Sequence, residues 1–159
     1  VCITTRIAMT RKAYYDWKDI EGLTQDIIRQ TTIDNKDYDC VIGLTRGGLT
    51  PAVLVSPYLD IPMHTLQISL RDHVGQHHNQ DMNERVGVGF GKNILVIDDI
   101  NDTGATINAI KDVWGDSYVD YAVLINNDAS EATVDYSSVD INKLENDVWI
   151  VFPWEDWWV

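Results

Sequence analysis

The sequence predicts an α/β fold with a mostly parallel central sheet, and three observations carry that expectation. Short apolar runs recur at 40–44, 63–70, 93–97, 118–125 and 148–152. The clearest of them, Cys40-Val41-Ile42-Gly43-Leu44, lacks the alternation of a strand with one face in water and fits a strand buried on both faces. Helical patterns lie between several of these runs, the βαβ arrangement of parallel sheets. Finally, Gly-containing loops follow two of the runs, at the carboxyl ends of strands, where such sheets bind ligands.

The elements follow in order. Residues 1–8 show no usable periodicity, whereas Met9-Thr10-Arg11-Lys12 reads as an ordinary native start; 1–8 are therefore expected to be an extension and 9–159 one domain. Asp16 is placed to cap a helix in which Trp17, Ile20, Leu23, Ile27 and Ile28 recur at three- and four-residue spacing, and Gly22 weakens it only slightly. After the polar stretch 31–39 and the strand at 40–44, a helix is expected from Leu49 to Leu59. Pro51 suits its first turn, and Pro57 predicts a kink or an early end. A strand at 63–70 leads into the polar segment 71–92 with Gly75, Gly87, Gly89 and Gly91, a length of irregular chain that compact domains keep for function or motion. The strand at 93–97 is followed by an acidic turn and a helix carrying Ile107, Ile110, Val113 and Trp114 on one face. Two more strands, 118–125 and 148–152, flank an acidic stretch.

Composition narrows the function. Twelve Lys and Arg stand against 25 Asp and Glu, a formal charge of −13. Such a surface repels phosphate backbones and anionic lipid, so neither nucleic acid nor membrane is an expected partner. Apolar runs fall short of a bilayer span, and Cys2 and Cys40 read as free thiols; a cytoplasmic protein is expected.

The chemistry concentrates in Asn93-Ile94-Leu95-Val96-Ile97-Asp98-Asp99-Ile100-Asn101-Asp102-Thr103-Gly104-Ala105-Thr106. An apolar strand delivers two adjacent carboxylates to its end, and a Thr-Gly-Ala-Thr turn opens a helix. Free N–H groups at that helix start form a site for a phosphate monoester, Gly104 permits close approach, and the hydroxyls of Thr103 and Thr106 add donors. Asp98 and Asp99 lie a sugar's width away, where they can bind ribose hydroxyls directly or through Mg²⁺. A second loop, Thr45-Arg46-Gly47-Gly48, offers a guanidinium fork and close backbone N–H groups to a diphosphate; taken alone it reads more readily as an ordinary turn, and it is the neighbouring acidic motif that favours the diphosphate reading.

These motifs resemble the type I phosphoribosyltransferases, most closely the bacterial xanthine–guanine and hypoxanthine enzymes. The resemblance implies their fold, a mostly parallel sheet flanked by helices, with a small hood from the chain ends. It also implies purine salvage: the 5-phosphoribosyl group of 5-phosphoribosyl 1-pyrophosphate (PRPP) passes to a 6-oxopurine, giving a nucleoside 5′-monophosphate and pyrophosphate, with Mg²⁺ as cofactor. By the same resemblance Asp98 and Asp99 hold the ribose hydroxyls and share the metal. Asp102, Thr103, Gly104, Ala105 and Thr106 hold the 5′-phosphate, and Thr45, Arg46, Gly47 and Gly48 the diphosphate. Arg46 stabilises the leaving group. Asp102, the residue that marks 6-oxopurine enzymes, manages the N7 proton. The Thr45–Arg46 peptide is often cis in this family.

In the tail, the resemblance makes Trp149 the base-stacking residue and Ile150 a backbone reader of the base edge. Four of the six Trp lie at or after Trp149, so a packing or interface patch is the competing reading, preferred for Trp157 and Trp158. Segment 71–92 corresponds to the family's mobile loop over PRPP; its Asp72, His73, His77 and His78 match no zinc spacing. The chain departs from the family just after the fourth strand, where a base-reading Lys is replaced by Asn126 and Asn127, and Asn127 is taken as the base contact. A homo-oligomer, dimer or tetramer, is expected. The rival readings are a PRPP- or nucleotide-sensing regulator and an enzyme of this fold for another base.

Overall fold

The computed structural model describes residues 11–68, 93–115, 118–155 and 158. The expectations for 1–8, for segment 71–92 with its Asp and His residues, and for Trp157 lie outside them. Chain order is β1 (Arg11–Tyr14), α1 (Trp17–Ile33), β2 (Cys40–Thr45), α2 (Leu49–Leu59), β3 (Met63–Gln67), β4 (Ile94–Asn101), α3 (Ala105–Trp114), β5 (Val119–Asn127), β6 (Tyr136–Ile141) and β7 (Val148–Val151).

The central sheet has the order β3-β2-β4-β5-β6, and every pair in it is parallel. Side-chain alternation explains why its strands are apolar throughout. Val41, Leu95, Ile97, Ala122 and Leu124 face one core with Ile20 and Ile27 of α1 and Ala52 and Val55 of α2. Ile42, Leu44, Ile94, Val96, Tyr121 and Val123 face the other, with Ile107 and Ile110 of α3. Both faces are thus covered, as parallel sheets require. Strands β1 and β7 pair in parallel as a separate two-stranded sheet, the expected hood from the chain ends. Tyr15, Phe152, Trp154 and Trp17 pack there, Phe152 and Trp154 stacked at 4.9 Å between ring centroids.

Local chemistry sets the helices. Asp16 caps α1 in a reciprocal capping box: its carboxylate accepts from Asp19 N–H and its own N–H donates to the Asp19 carboxylate, both at 2.8 Å. In α2, Pro51 lies buried in the first turn, as expected. The early end expected at Pro57 does not occur, because the helix continues to Leu59. So close to the terminus the missing proline N–H forfeits little, and Asp60, in the left-handed conformation, closes the helix with its N–H on Ser56 O.

Two strands were not anticipated. β1 is largely exposed, and β6, inside the stretch read only as an acidic spacer, is an edge strand with one buried apolar residue, Tyr136. Its Ser137 and Ser138 bond to Gln30 and Asp26 of α1 instead of entering a core. Elsewhere only bounds differ: β3 stops at Gln67 instead of residue 70, and β4 runs beyond Ile97 to Asn101 because Asp98, Ile100 and Asn101 still pair with β5.

Candidate active site

The chain leaves β2 to form β3 on one side of it and places β4 on the other, so the strand order reverses between β2 and β4. At such a switch point the loops after the two strands diverge and open a crevice at their carboxyl ends. The structure puts both motif loops there. A cavity of about 300 Å³ is lined by Thr45, Arg46 and Gly47 from one side and by Asp98 through Ile107 from the other. The Thr45–Arg46 peptide bond is cis.

Glycine is what lets the two loops meet. A Cβ on Gly47 would coincide with the Asp99 carboxylate, and one on Gly48 would meet Ile97 O, Leu44 N and Asp98 Cα, the last two at 2.8 and 2.9 Å. The diphosphate-type loop therefore lies directly against the acidic pair.

Asp98 and Asp99 follow the buried run Ile94 to Ile97 of β4 and are half-buried themselves. Asp98 accepts from Asp99 N–H at 3.0 Å, and Asp99 accepts from Ile100 N–H at 2.8 Å. Burial pushes the Asp99 carboxyl up to about 6, and the charge of Glu155, from the segment after β7, adds to it. Burial, then the neighbouring charge of Asp99, pushes Asp98 well above the usual carboxylate range.

Beyond the pair, Gly104 sits at φ 90° and opens α3, where Asn108 N–H donates to its carbonyl at 2.9 Å. Thr103 Oγ1 accepts from Ala105 N–H at 3.3 Å. The segment after β5 braces this turn. Glu131 N–H donates to Thr103 O, and Ser130 Oγ donates to Asn101 Oδ1, while buried Asn101 donates in turn to Asn126 Oδ1 and Ala132 O. Neither Asn101 nor Ser130 was marked by the sequence reading.

Asn127 is brought to the same loop but turned inward, 7% exposed. Its Nδ2 donates to Asp102 O at 2.8 Å, and its Oδ1 accepts from Ala129 N–H at 3.2 Å and Lys143 N–H at 3.1 Å. Lys143 is the residue that sequence reasoning missed. Its Nζ bridges both Asp102 carboxylate oxygens, at 2.9 and 3.0 Å. One signal could have found it: Lys143 is the only Lys or Arg after Lys111.

In the hood, Trp149 is 55% exposed while Val148 and Ile150 on either side are buried, as alternation along β7 dictates. Trp154 is committed to the hood's aromatic packing, and Trp158 is exposed.

The described geometry is a crevice with a helix start at one side, two carboxylates beside it, and an arginine loop facing them. Comparison with known proteins shows the family. The phosphoribosyl transferase domain family matches residues 10–156. The xanthine-guanine phosphoribosyltransferase of Idiomarina loihiensis is 27% identical over 147 residues, 91% of this chain and 88% of that protein. The enzyme of the same name from Cereibacter sphaeroides is 32% identical over 129 residues, 77% of this chain and 72% of that protein. The crystal structure of a purine phosphoribosyltransferase from Pyrococcus horikoshii superposes with a TM-score of 0.68 at 25% identity, over 93% of this chain and 97% of that one. The chain belongs to the phosphoribosyl transferase domain family, as a type I phosphoribosyltransferase most like the bacterial xanthine–guanine enzymes.

Proposed function

We propose that this phosphoribosyltransferase works in purine salvage, moving the 5-phosphoribosyl group of PRPP to guanine, hypoxanthine or xanthine. The observation that carries the reading is the meeting of the Arg46 loop and the acidic Thr-Gly loop across one crevice, with Gly47 against Asp99.

Backbone N–H groups of Thr103, Gly104, Ala105 and Thr106 hold the 5′-phosphate at the start of α3, and Asp98 and Asp99 take the ribose 2′- and 3′-hydroxyls. Arg46, with the backbone of Thr45, Gly47 and Gly48, holds the diphosphate. As the C1′–O bond to the diphosphate breaks, C1′ gains oxocarbenium character, N9 of the base bonds to C1′, and the proton on N7 passes to Asp102. The chain needs no nucleophile for this; its contribution is orientation and charge stabilisation. Trp149 stacks on the base, Ile150 reads its edge through the backbone, and Asn127 steadies the Asp102 loop from behind.

Among the described residues no group of three or more His, Cys, Asp or Glu could hold a metal ion. Two hard carboxylates fit Mg²⁺ only when shared with phosphate oxygens, its usual mode beside nucleotides. Asp98 and Asp99 would hold Mg²⁺ together with the diphosphate of the substrate, and the ion would neutralise leaving-group charge.

No helix among the described residues is long and apolar enough to cross a membrane. A cytoplasmic enzyme acting on small molecules, and not on nucleic acid, is in keeping with the charge of −13. The exposed apolar side chains of Ile33, Val53, Leu54 and Tyr58 support a homo-oligomer.

The deciding experiment is incubation with PRPP, Mg²⁺ and guanine, hypoxanthine, xanthine or adenine in turn, following pyrophosphate release. Release with at least one 6-oxopurine is expected. PRPP binding without release on any base would make the protein a sensor instead, and release only with adenine would overturn the base assignment.

A further inference from the structure

We infer that Lys143 is the residue that reads the base: its ammonium donates to the carbonyl oxygen at purine C6 and so selects oxopurines over aminopurines. The inference rests on the proposal that Asp102 meets N7 of the base.

Burial comes first. The Lys143 side chain is only 16% exposed, in a chain whose charge of −13 offers many exposed carboxylates to a lysine. A lysine is seldom withdrawn this far from water unless its charge is matched. Asp102 supplies that match through two of the three N–H groups, at 2.9 and 3.0 Å. The third has a place for another acceptor.

Position comes next. Asp102 lines the crevice and is 43% exposed at its side chain, so Lys143 reaches the crevice through it. Asn127 ties both backbones into one frame, donating to Asp102 O and accepting from Lys143 N–H. The two side chains therefore arrive as a fixed pair from the ends of different strands.

The chemistry of purines completes the assignment. N7 and the substituent at C6 lie on the same edge of the ring: the free base turns its N7–H toward Asp102, and beside it an oxopurine presents a carbonyl acceptor where adenine presents an amino donor. With Asp102 at N7, an ammonium within 3.0 Å of its carboxylate stands beside the C6 substituent. A carbonyl there accepts the remaining N–H, whereas an amino group sets donor against donor.

The test is the ratio of kcat/KM for hypoxanthine to that for adenine, at saturating PRPP, in wild type, Lys143→Met and Lys143→Gln. The ratio does not depend on how much of a variant is folded, because both bases are assayed on one preparation. Loss of a hydrogen bond to a charged donor is expected to lower it by about ten- to a hundredfold in Lys143→Met, with Lys143→Gln intermediate. If Lys143→Met turns over neither base, the ratio in Lys143→Gln decides. A lysine that only held Asp102 in place would slow both bases alike and leave the ratio near wild type, which overturns the inference while leaving purine transfer standing. A wild type that releases pyrophosphate with no purine overturns both.

Discussion

Replacing Asp99 with Asn should stabilise the protein at neutral pH while removing productive PRPP binding. The folded Asp99 carboxyl lies at about 6 against an ordinary 3.8, with burial as the main cause. At about 1.4 kcal/mol per unit the difference amounts to about 3 kcal/mol. The unfolded chain releases this proton near 3.8 and the folded one near 6, so the folded state loses stability as pH rises through that window. The penalty is absent below about pH 4 and fully present above about pH 6. Asn escapes it, and its Oδ1 keeps the acceptor for Ile100 N–H, 2.8 Å away in the wild type. At roughly 2–4 °C per kcal/mol for a chain of this size, Tm should rise by about 6–12 °C near pH 7.5, and the gain should vanish near pH 4. Thermal and urea unfolding across this pH range, with calorimetric titration of Mg²⁺–PRPP, measure both halves. A gain that is the same at both ends of the range, or no gain at all, would refute the burial argument; unchanged PRPP affinity would refute the ribose assignment.

Three other outcomes follow from the site. Gly47→Ala drives a methyl into the Asp99 carboxylate and should cost about 1–3 kcal/mol of stability together with most of the PRPP affinity, read by unfolding and titration. Asp102→Asn should lower turnover by roughly 10² to 10⁴ with PRPP affinity little changed; turnover within a few-fold of wild type would reduce Asp102 to a loop-shaping residue. Trp149→Ala, at an exposed position, should leave Tm unchanged and raise KM for the base by about ten- to a hundredfold, since stacking on a base is worth roughly 1–3 kcal/mol.

What the sequence determined on its own was local. The Asp16 cap and the spacing of Ile20, Leu23 and Ile27 announce α1 because a helix brings those positions to one face. The apolar runs of β2 and β4 announce a sheet covered on both sides because each face of those strands meets its own core. The two adjacent Asp and the Thr-Gly turn are legible because the strand end and the helix start that carry them are adjacent in the chain. The edge strands β1 and β6 left no such trace, since a strand with few buried side chains needs no apolar pattern and is held by backbone pairing with a distant partner. The pairing of Lys143 with Asp102 is the clearest case of what tertiary structure alone decided. The resemblance leads to an expected lysine after β5, where Asn126 and Asn127 stand. The fold carries a lysine to the same loop from beyond β6, the next strand of the parallel sheet, which sets its carboxyl end beside that of β5. No local pattern can announce that contact, because it depends on strand order and register, which long-range packing sets.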